Sequence, residues 1–340
     1  MVGGSDELPA TSYQLPTTIS NRLPPTTNHL PPSMDGVLVI DKPRGLTSHD
    51  VVAVARRELG VAKIGHTGTL DPLATGVLPL AIGRATRLVR FLATSDKDYD
   101  ALVRFGVTTD TYDITGQEVT RTDTAPLRDE VMRALRSLTG EYLQTPPAYS
   151  AKKVGGRRAY HLARSTGNAV PLKAVPVHVS RAELTGFDGL TARIVLTCSA
   201  GFYVRSFAHA LGELTGTGGC LEELRRTRSG EFALNQAMRI EQLADPARVA
   251  SALVPMPGLL SHLPAVTLGN RGLELVSYGR DLESNDYEPV ATLPPEAGAP
   301  APLSPPDQTW VRLLDAHGAL VGMATARNRS GALHPSLVLM

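Results

Sequence analysis

Apolar and polar positions change register several times along the chain, and each change marks a predicted element. GVLVIDKP (36–43) is an unbroken apolar run closed by Pro43 and Gly45, the pattern of a buried strand ending in a turn. TSHDVVAVARRELG (47–60) sets Val51, Val52, Val54 and Ala55 on one helical face, with Thr47 or Ser48 as cap and Gly60 as stop. VLPLAIG (77–83) predicts a short buried strand, and RATRLVRFLAT (84–94) resumes helical spacing. KDYDALVRFGVTT (97–109) alternates with period two, as a half-buried strand does. LRDEVMRALRSLTG (127–140) is an amphipathic helix, and VPVHVSRAELTGF (175–187) and LTARIVLTCSA (190–200) are paired strands. YVRSFAHALGELTG (203–216) predicts a helix capped by Gly216, and CLEELRRTRSGEFAL (220–234) leads into a further strand. Strands and helices mix without strict βα alternation, so an α+β fold with a mixed or antiparallel sheet is expected.

The ends of the chain have a different texture. Residues 1–33 are rich in Pro, Thr, Ser and Asn and hold too little apolar surface to offset ordering entropy, so a disordered tail is expected. Met34 opens the first patterned segment and is a candidate translation start. Residues 262–340 carry short strands and turns around a Pro/Ala-rich stretch (288–308), which predicts a small β-rich domain after a larger one at 34–255. A chain of 340 residues fits two domains. The 34 basic and 33 acidic residues give a net charge of only +1, so any nucleic-acid face must come from local clusters. Two cysteines are too few for a disulfide framework and fit a reducing cytoplasm. No run of about 18 or more apolar residues suggests a membrane helix, and the N-terminus does not read as a signal peptide.

Chemistry concentrates in four places. In GHTGTLDPLATGVLPLAIGRATRL (65–88), Asp71 is a lone acid among apolar neighbours. It is either a turn residue facing water or a charge held for reaction, and an apolar setting would demand a partner for it. His66, the flanking Gly65, Gly68 and Gly76, and the following Arg84 and Arg87 give the loop room and charge for a phosphate-bearing ligand. In SAGFYVRS (199–206), strand alternation would put Tyr203 and Arg205 on one face, suited to base stacking and carboxylate pairing, or simply to a sheet surface. TPPAYSAKKVGGRRAYHLARSTG (145–167) interleaves Lys152, Lys153, Arg157, Arg158, His161 and Arg164 with Tyr149 and Tyr160 and holds no acid, a composition for gripping a nucleic-acid backbone. LRRTRSG (224–230) adds Arg225, Arg226 and Arg228 as a second basic patch. No Walker A or dinucleotide fingerprint occurs, and His66 and Asp71 lack a third metal ligand at suitable spacing.

Taken together and in order, GVLVIDKPRGLTSHDVV, GHTGTLDPLATGVLPLAIGRATR, PPAYSAKKVGGRRAYHLAR, GFYVRSFAHALG and LRRTRSGEF resemble the TruB family of tRNA pseudouridine-55 synthases over residues 34–250. The resemblance implies a pseudouridine synthase core, with 262–340 where bacterial members carry a PUA-like RNA-binding domain. It implies isomerisation of uridine 55 in the tRNA T-loop by base flipping, with no cofactor. Apart from the resemblance, no metal and no membrane are expected, a cytoplasmic setting fits the cysteine count, and a monomer is the default expectation. Asp71 takes the position of the family's catalytic aspartate, Arg205 pairs with it, and Tyr99 stacks on the flipped uracil. His66 helps displace the base, Tyr203 and Leu224 wall the pocket, Arg87 meets the RNA backbone, and the segment with Lys152, Lys153 and Arg157 grips the T-arm. Ala200 and Phe202 stand where members often show Lys and Thr, and Ala174 where an arginine is frequent. Competing readings are a tRNA-binding protein whose chemistry is incidental, and an aspartate-dependent nucleosidase, which would want a second carboxylate.

Overall fold

The computed structural model describes residues 34–149, 153–154, 157–158, 172–290, 310–327 and 331–340, without the side chains of the two pairs at 153–158. The expected tail at 1–33, most of the basic segment 145–167 and the Pro/Ala-rich stretch from 291 to 309 lie outside the described residues.

In chain order the first part runs β1 (Gly36–Lys42), α1 (Ser48–Leu59), β2 (Ile64–His66) and β3 (Thr75–Ile82). A 3-10 turn at Gly83–Leu88 continues into α2 (Val89–Leu92), followed by β4 (Lys97–Phe105), β5 (Val107–Thr109) and β6 (Glu118–Arg121). Then come α3 (Arg128–Ser137), β7 (Gly140–Gln144), the short pair β8 (Lys153–Val154) and β9 (Arg157–Arg158), β10 (Val175–Phe187) and β11 (Thr191–Cys198). The larger unit closes with α4 (Val204–Leu214), β12 (Gly219–Ser229), β13 (Phe232–Ala233), β14 (Met238–Arg239), α5 (Pro246–Ala252) and β15 (Val254–Pro255). A second unit holds β16 (Ala265–Leu268), α6 (Asn270–Ser277), β17 (Tyr287–Val290), β18 (Trp310–Leu314), β19 (Leu320–Arg327) and β20 (Ala332–Val338).

The large sheet has the order β14-β1-β3-β12-β4-β11-β10-β7, antiparallel except where β1 meets β14 and β3 meets β12. The second unit is a five-stranded sheet, β17-β16-β18-β19-β20. This is the α+β architecture expected from the mixed pattern. β1 and β3 read as continuous apolar runs because they are buried on both faces. Leu38, Ile40, Leu78 and Leu80 enter the main core with α1 and α4, while Val37, Val39, Val77 and Ala81 enter a second core. That second core continues into Leu320, Met323 and Leu339, so the two units share one apolar seam. Each such buried aliphatic side chain contributes roughly 1.5–3 kcal/mol. β4 alternates instead, because only one of its faces is buried.

Local rules explain the best-placed element. α1 starts with a reciprocal cap: the Thr47 hydroxyl accepts from the Asp50 amide (3.1 Å), and the Asp50 carboxylate accepts from the Thr47 amide (2.8 Å). It stops at Gly60, whose φ of 64° is left-handed. Two expectations need correction. Tyr203 and Arg205 do not share a strand face: Tyr203 caps α4 and Arg205 lies in its first turn. GNRGLELVSYG is not strand and turn but contains α6, whose apolar Leu273 and Val276 have helical spacing that two glycines obscure.

Candidate active site

Asp71 lies in the loop joining β2 to β3, and that loop is braced from three directions. The Ser48 hydroxyl, at the start of α1, accepts from the Leu70 amide (2.8 Å) and lies 3.1 Å from the Leu70 carbonyl as donor. The Gly45 amide donates to the Pro72 carbonyl (2.8 Å). Arg226 donates from Nε to Val77 O (2.7 Å), from Nη2 to Gly68 O (3.1 Å) and from Nη1 to Thr69 O (3.4 Å). Leu70, Leu73 and Ala74 are buried and anchor the turn. The apolar neighbours of Asp71 therefore point into the core and its carboxylate does not. Its side chain is 37% exposed, so the free site is more open than a fully apolar pocket.

The carboxylate borders a cavity of about 250 Å3 whose walls include Thr67, Lys97, Tyr99, Tyr203, Leu224 and Arg226. Arg205, 7% exposed, meets Asp71 side-on: Nε stands 2.8 Å from Oδ2, and Nη2 donates to Oδ1 at 3.1 Å. Nη1 donates to Thr111 O (3.0 Å) and Nη2 also to Tyr149 O (3.0 Å). Behind it lies Asp113, equally buried, with Oδ2 3.6 Å from Nη1. Asp113 is fixed by the Thr115 amide (3.0 Å) and the Thr111 hydroxyl (3.1 Å). The guanidinium is thus held between two carboxylates. The first turn of α4 that presents it is clamped by the Gln144 amide group, which accepts from the Tyr203 amide (2.8 Å) and donates to the Tyr203 carbonyl (3.1 Å).

Sheet alternation supplies the rest. Lys97 and Tyr99 share the inward face of β4, and Arg226 on β12 is the cross-strand neighbour of Tyr99. Burial pushes the Tyr99 phenol up to about 12, against the opposing pull of Arg226, so it stays protonated at neutral pH. Burial lowers the Lys97 ammonium to about 8, and does the same to Lys42 against the attraction of Asp71. Gly76 has a φ of 97°, and a Cβ there would stand 2.2 Å from the Arg226 carbonyl oxygen. Its glycine serves the close packing of β3 on β12, not the approach of a ligand. A side chain at Gly65 or Gly68 would meet no clash.

Asp71, Tyr99, Tyr203, Arg205 and Leu224 thus converge on one cavity. His66 immediately precedes the wall residue Thr67, its ring edge-on to His49 at 5.5 Å. Arg87 is exposed on the 3-10 turn. Arg84 is not free for phosphate: it pairs with Asp35 (2.7 Å) and donates to Leu339 O (3.0 Å), joining the two units. The 224–230 cluster is not a basic surface patch either. Arg225 pairs with Asp41 (2.8 Å), Arg228 makes two bonds to Asp98 (2.7 and 2.8 Å), and Arg226 is buried. Lys152 lies outside the described residues, and of Lys153 and Arg157 only the backbone pairing is described. A larger hollow of about 460 Å3 lies between the units. Its carboxylates are occupied, Asp35 by Arg84 and Asp315 by the His317 and Ala319 amides.

Asp113 and Lys97 went unrecognised in the sequence as site residues, and Arg226 was read only as part of a basic patch. Lys97 carried a usable signal, since it sits two positions before Tyr99 on an alternating strand. Among the described residues no group of three or more His, Cys, Asp or Glu side chains could hold a metal ion, and no helix is long and apolar enough to cross a membrane.

Residues 56–204 match the TruB family pseudouridylate synthase (N terminal domain), and residues 205–256 match the tRNA pseudouridylate synthase B C-terminal domain. The tRNA pseudouridine synthase B of Solibacter usitatus is 47% identical over 258 residues, covering 75% of this chain and 88% of that protein. The protein of the same name from Aromatoleum aromaticum is 46% identical, covering 73% and 81%. Among solved structures, a Cbf5-Nop10-Gar1 complex contains a chain with TM-score 0.68 and 28% identity, covering 90% of this chain and 85% of that one. A chain in the archaeal box H/ACA sRNP Nop10-Cbf5 complex gives 0.66 and 26%, covering 90% and 86%.

Proposed function

This chain belongs to the TruB family of pseudouridylate synthases, and we propose that it isomerises uridine 55 in the T-loop of tRNA to pseudouridine. The observation that carries the reading is Asp71, braced by its loop and paired with a buried arginine at a cavity walled by two tyrosines. Uracil must detach from ribose, turn and rejoin through carbon. That chemistry needs an ionised carboxylate aimed at the sugar and a flat enclosure that keeps the loose base in place. Arg205 pairs with the Asp71 carboxylate and orients it. Tyr99 provides the stacking surface, worth about 1–3 kcal/mol on the base–aromatic scale. A protonated phenol there keeps a hydrogen-bond donor available beside the base. Tyr203 and Leu224 complete the wall, and His66, at its rim, helps displace the base from the loop. Base flipping costs a few kcal/mol, less in a loop than in a paired stem.

On this reading residues 34–255 form the catalytic domain and 262–340 a PUA-like RNA-binding domain, acting as a cytoplasmic monomer without cofactor. Arg87, Lys152, Lys153 and Arg157 hold the T-arm backbone. Replacing Lys152 and Arg157 should weaken tRNA binding and flatten its salt dependence.

The test is tritium release from a tRNA transcript labelled at uracil C5, because the isomerisation frees that hydrogen. Wild-type protein should release it from one T-loop uridine, and Asp71→Asn should bind tRNA but release about 10^3-fold less per unit time. Tight binding without release by the wild type would instead favour a tRNA-binding role. Free uracil in solution would favour a nucleosidase.

A further inference from the structure

We propose that Lys97 and Arg226, with the Thr67 hydroxyl, form an anion-holding wall that takes up the negative charge of uracil while it is detached from ribose. The inference rests on the isomerase reading and deepens it. When the C1′–N1 bond breaks, its electron pair stays on the base, whether Asp71 attacks the sugar directly or a proton is first taken from C2′. Uracil then carries one negative charge, spread over N1 and the two carbonyl oxygens. After it turns, C5 bonds to C1′, the C5 hydrogen leaves as a proton, and N1 gains one, so composition and charge are restored. The anion exists only between these events, and a site stabilising it lowers the barrier without tightening the ground state.

The cavity holds cations placed for that charge. Lys97 is 7% exposed and Arg226 1%, yet among the described residues neither is paired with a carboxylate. Lys97 Nζ donates to Ala93 O (3.0 Å) and to Ser95 O, leaving one of its three donors. Arg226 donates to three backbone carbonyls and also acts on the Tyr99 phenol, none of them a carboxylate. A Cβ built on Gly68 would lie 3.6 Å from both Lys97 Cε and Arg226 Nη1, so the two side chains flank one point of the wall. Thr67 lines the same cavity, is 1% exposed, and its Oγ1 has no hydrogen-bond partner among the described residues. A buried hydroxyl in that state, in a cavity with two cations that no carboxylate answers, is a built place for a polar, negatively charged group. The other groups facing Lys97 do not cancel it: the Cys198 thiol is held neutral by burial, Asp98 is engaged by Arg228, and only Asp96 offers a nearby carboxylate. Asp71 is engaged by Arg205.

The experiment compares wild type, Lys97→Gln and Lys97→Arg in single-turnover tritium release with enzyme in excess. Each protein's tRNA dissociation constant and melting temperature are measured alongside. The expected result for Lys97→Gln is a chemical step about 100-fold slower, the scale of removing one preorganised charge donor, with tRNA affinity within about threefold. Lys97→Arg should recover most of that loss. A Lys97→Gln protein that reacts at the wild-type rate overturns the proposal. So does a slow Lys97→Gln whose affinity and melting temperature fall in step and which Lys97→Arg does not rescue, because the lysine would then only cap the carbonyls of Ala93 and Ser95. Wild-type protein that binds tRNA and releases no tritium removes the isomerase reading, and this inference with it.

Discussion

On one side of the cavity Arg205 lies between Asp71 and Asp113; on the other, Arg226 and Lys97 lie among backbone carbonyls. Both sides bury cations, but they use them differently. The Arg205 side is internally compensated, and its charges fix one another in place. Two close contacts from one planar guanidinium fix the direction in which the Asp71 carboxylate points. The Arg226 side has carbonyl dipoles but no countercharge of its own, so its potential persists inside the cavity. A catalytic pocket needs both: a nucleophile that stays put, and a field that acts only when charge appears.

The sharpest way to break the comparison is at Asp71. Asp71→Asn should cost about 10^3-fold or more in single-turnover rate while leaving stability nearly unchanged, because Arg205 keeps Asp113 and two carbonyls as partners. Paired rate and urea-melt measurements check this. Arg205→Ala should act on both quantities. It leaves Asp113 buried without its cation, and the unfolding free energy should fall by about 3 kcal/mol. A fall below about 1 kcal/mol would mean that the Thr111 and Thr115 bonds alone carry Asp113.

Raising the pH removes the Lys97 charge from the other side. Lys97 and Lys42 both titrate near 8 in the folded protein, below the unfolded value of about 10.4. Between those values the unfolded chain binds more protons, so the contribution of these groups to stability increases with pH. The cavity meanwhile loses positive charge, and the rate should fall about tenfold from pH 8 to 9.5. Activity and melting temperature followed over the same series should therefore diverge, and Lys97→Arg should extend activity to higher pH. The smallest effect belongs to a residue on neither side. Thr47→Ala removes the α1 cap and should cost about 1 kcal/mol of stability with the chemical rate unchanged.

Much of this site was legible in the chain because it broke local rules. Asp71 stood out as an acid among Leu70, Pro72, Leu73 and Val77, with a water-facing turn still open to it, and Tyr99 was picked out by the family resemblance on a strand whose alternation was plain. What stayed hidden depended on chain segments far apart. Asp113 lies in a polar turn that reads as surface, and only the return of that turn under α4 places it on Arg205, 92 positions away in sequence by number. Arg226 was masked by its neighbours. Arg225, Arg226 and Arg228 look alike in LRRTRSG, and only the pairing of β12 with both β3 and β4 turns one inward and gives the others to Asp41 and Asp98. Arg84 misled for the same reason, since its acid, Asp35, is 49 residues away. Local pattern reports which way a side chain faces, not what waits for it there.

The apolar seam that runs from Val37 and Val39 through Met256 to Met323 and Leu339 has a consequence for how the chain comes apart. Neither unit can unfold while the other stays intact without opening that seam to water. Calorimetry of the full chain should thus record one cooperative melting event rather than two, and a chain cut after residue 256 should aggregate.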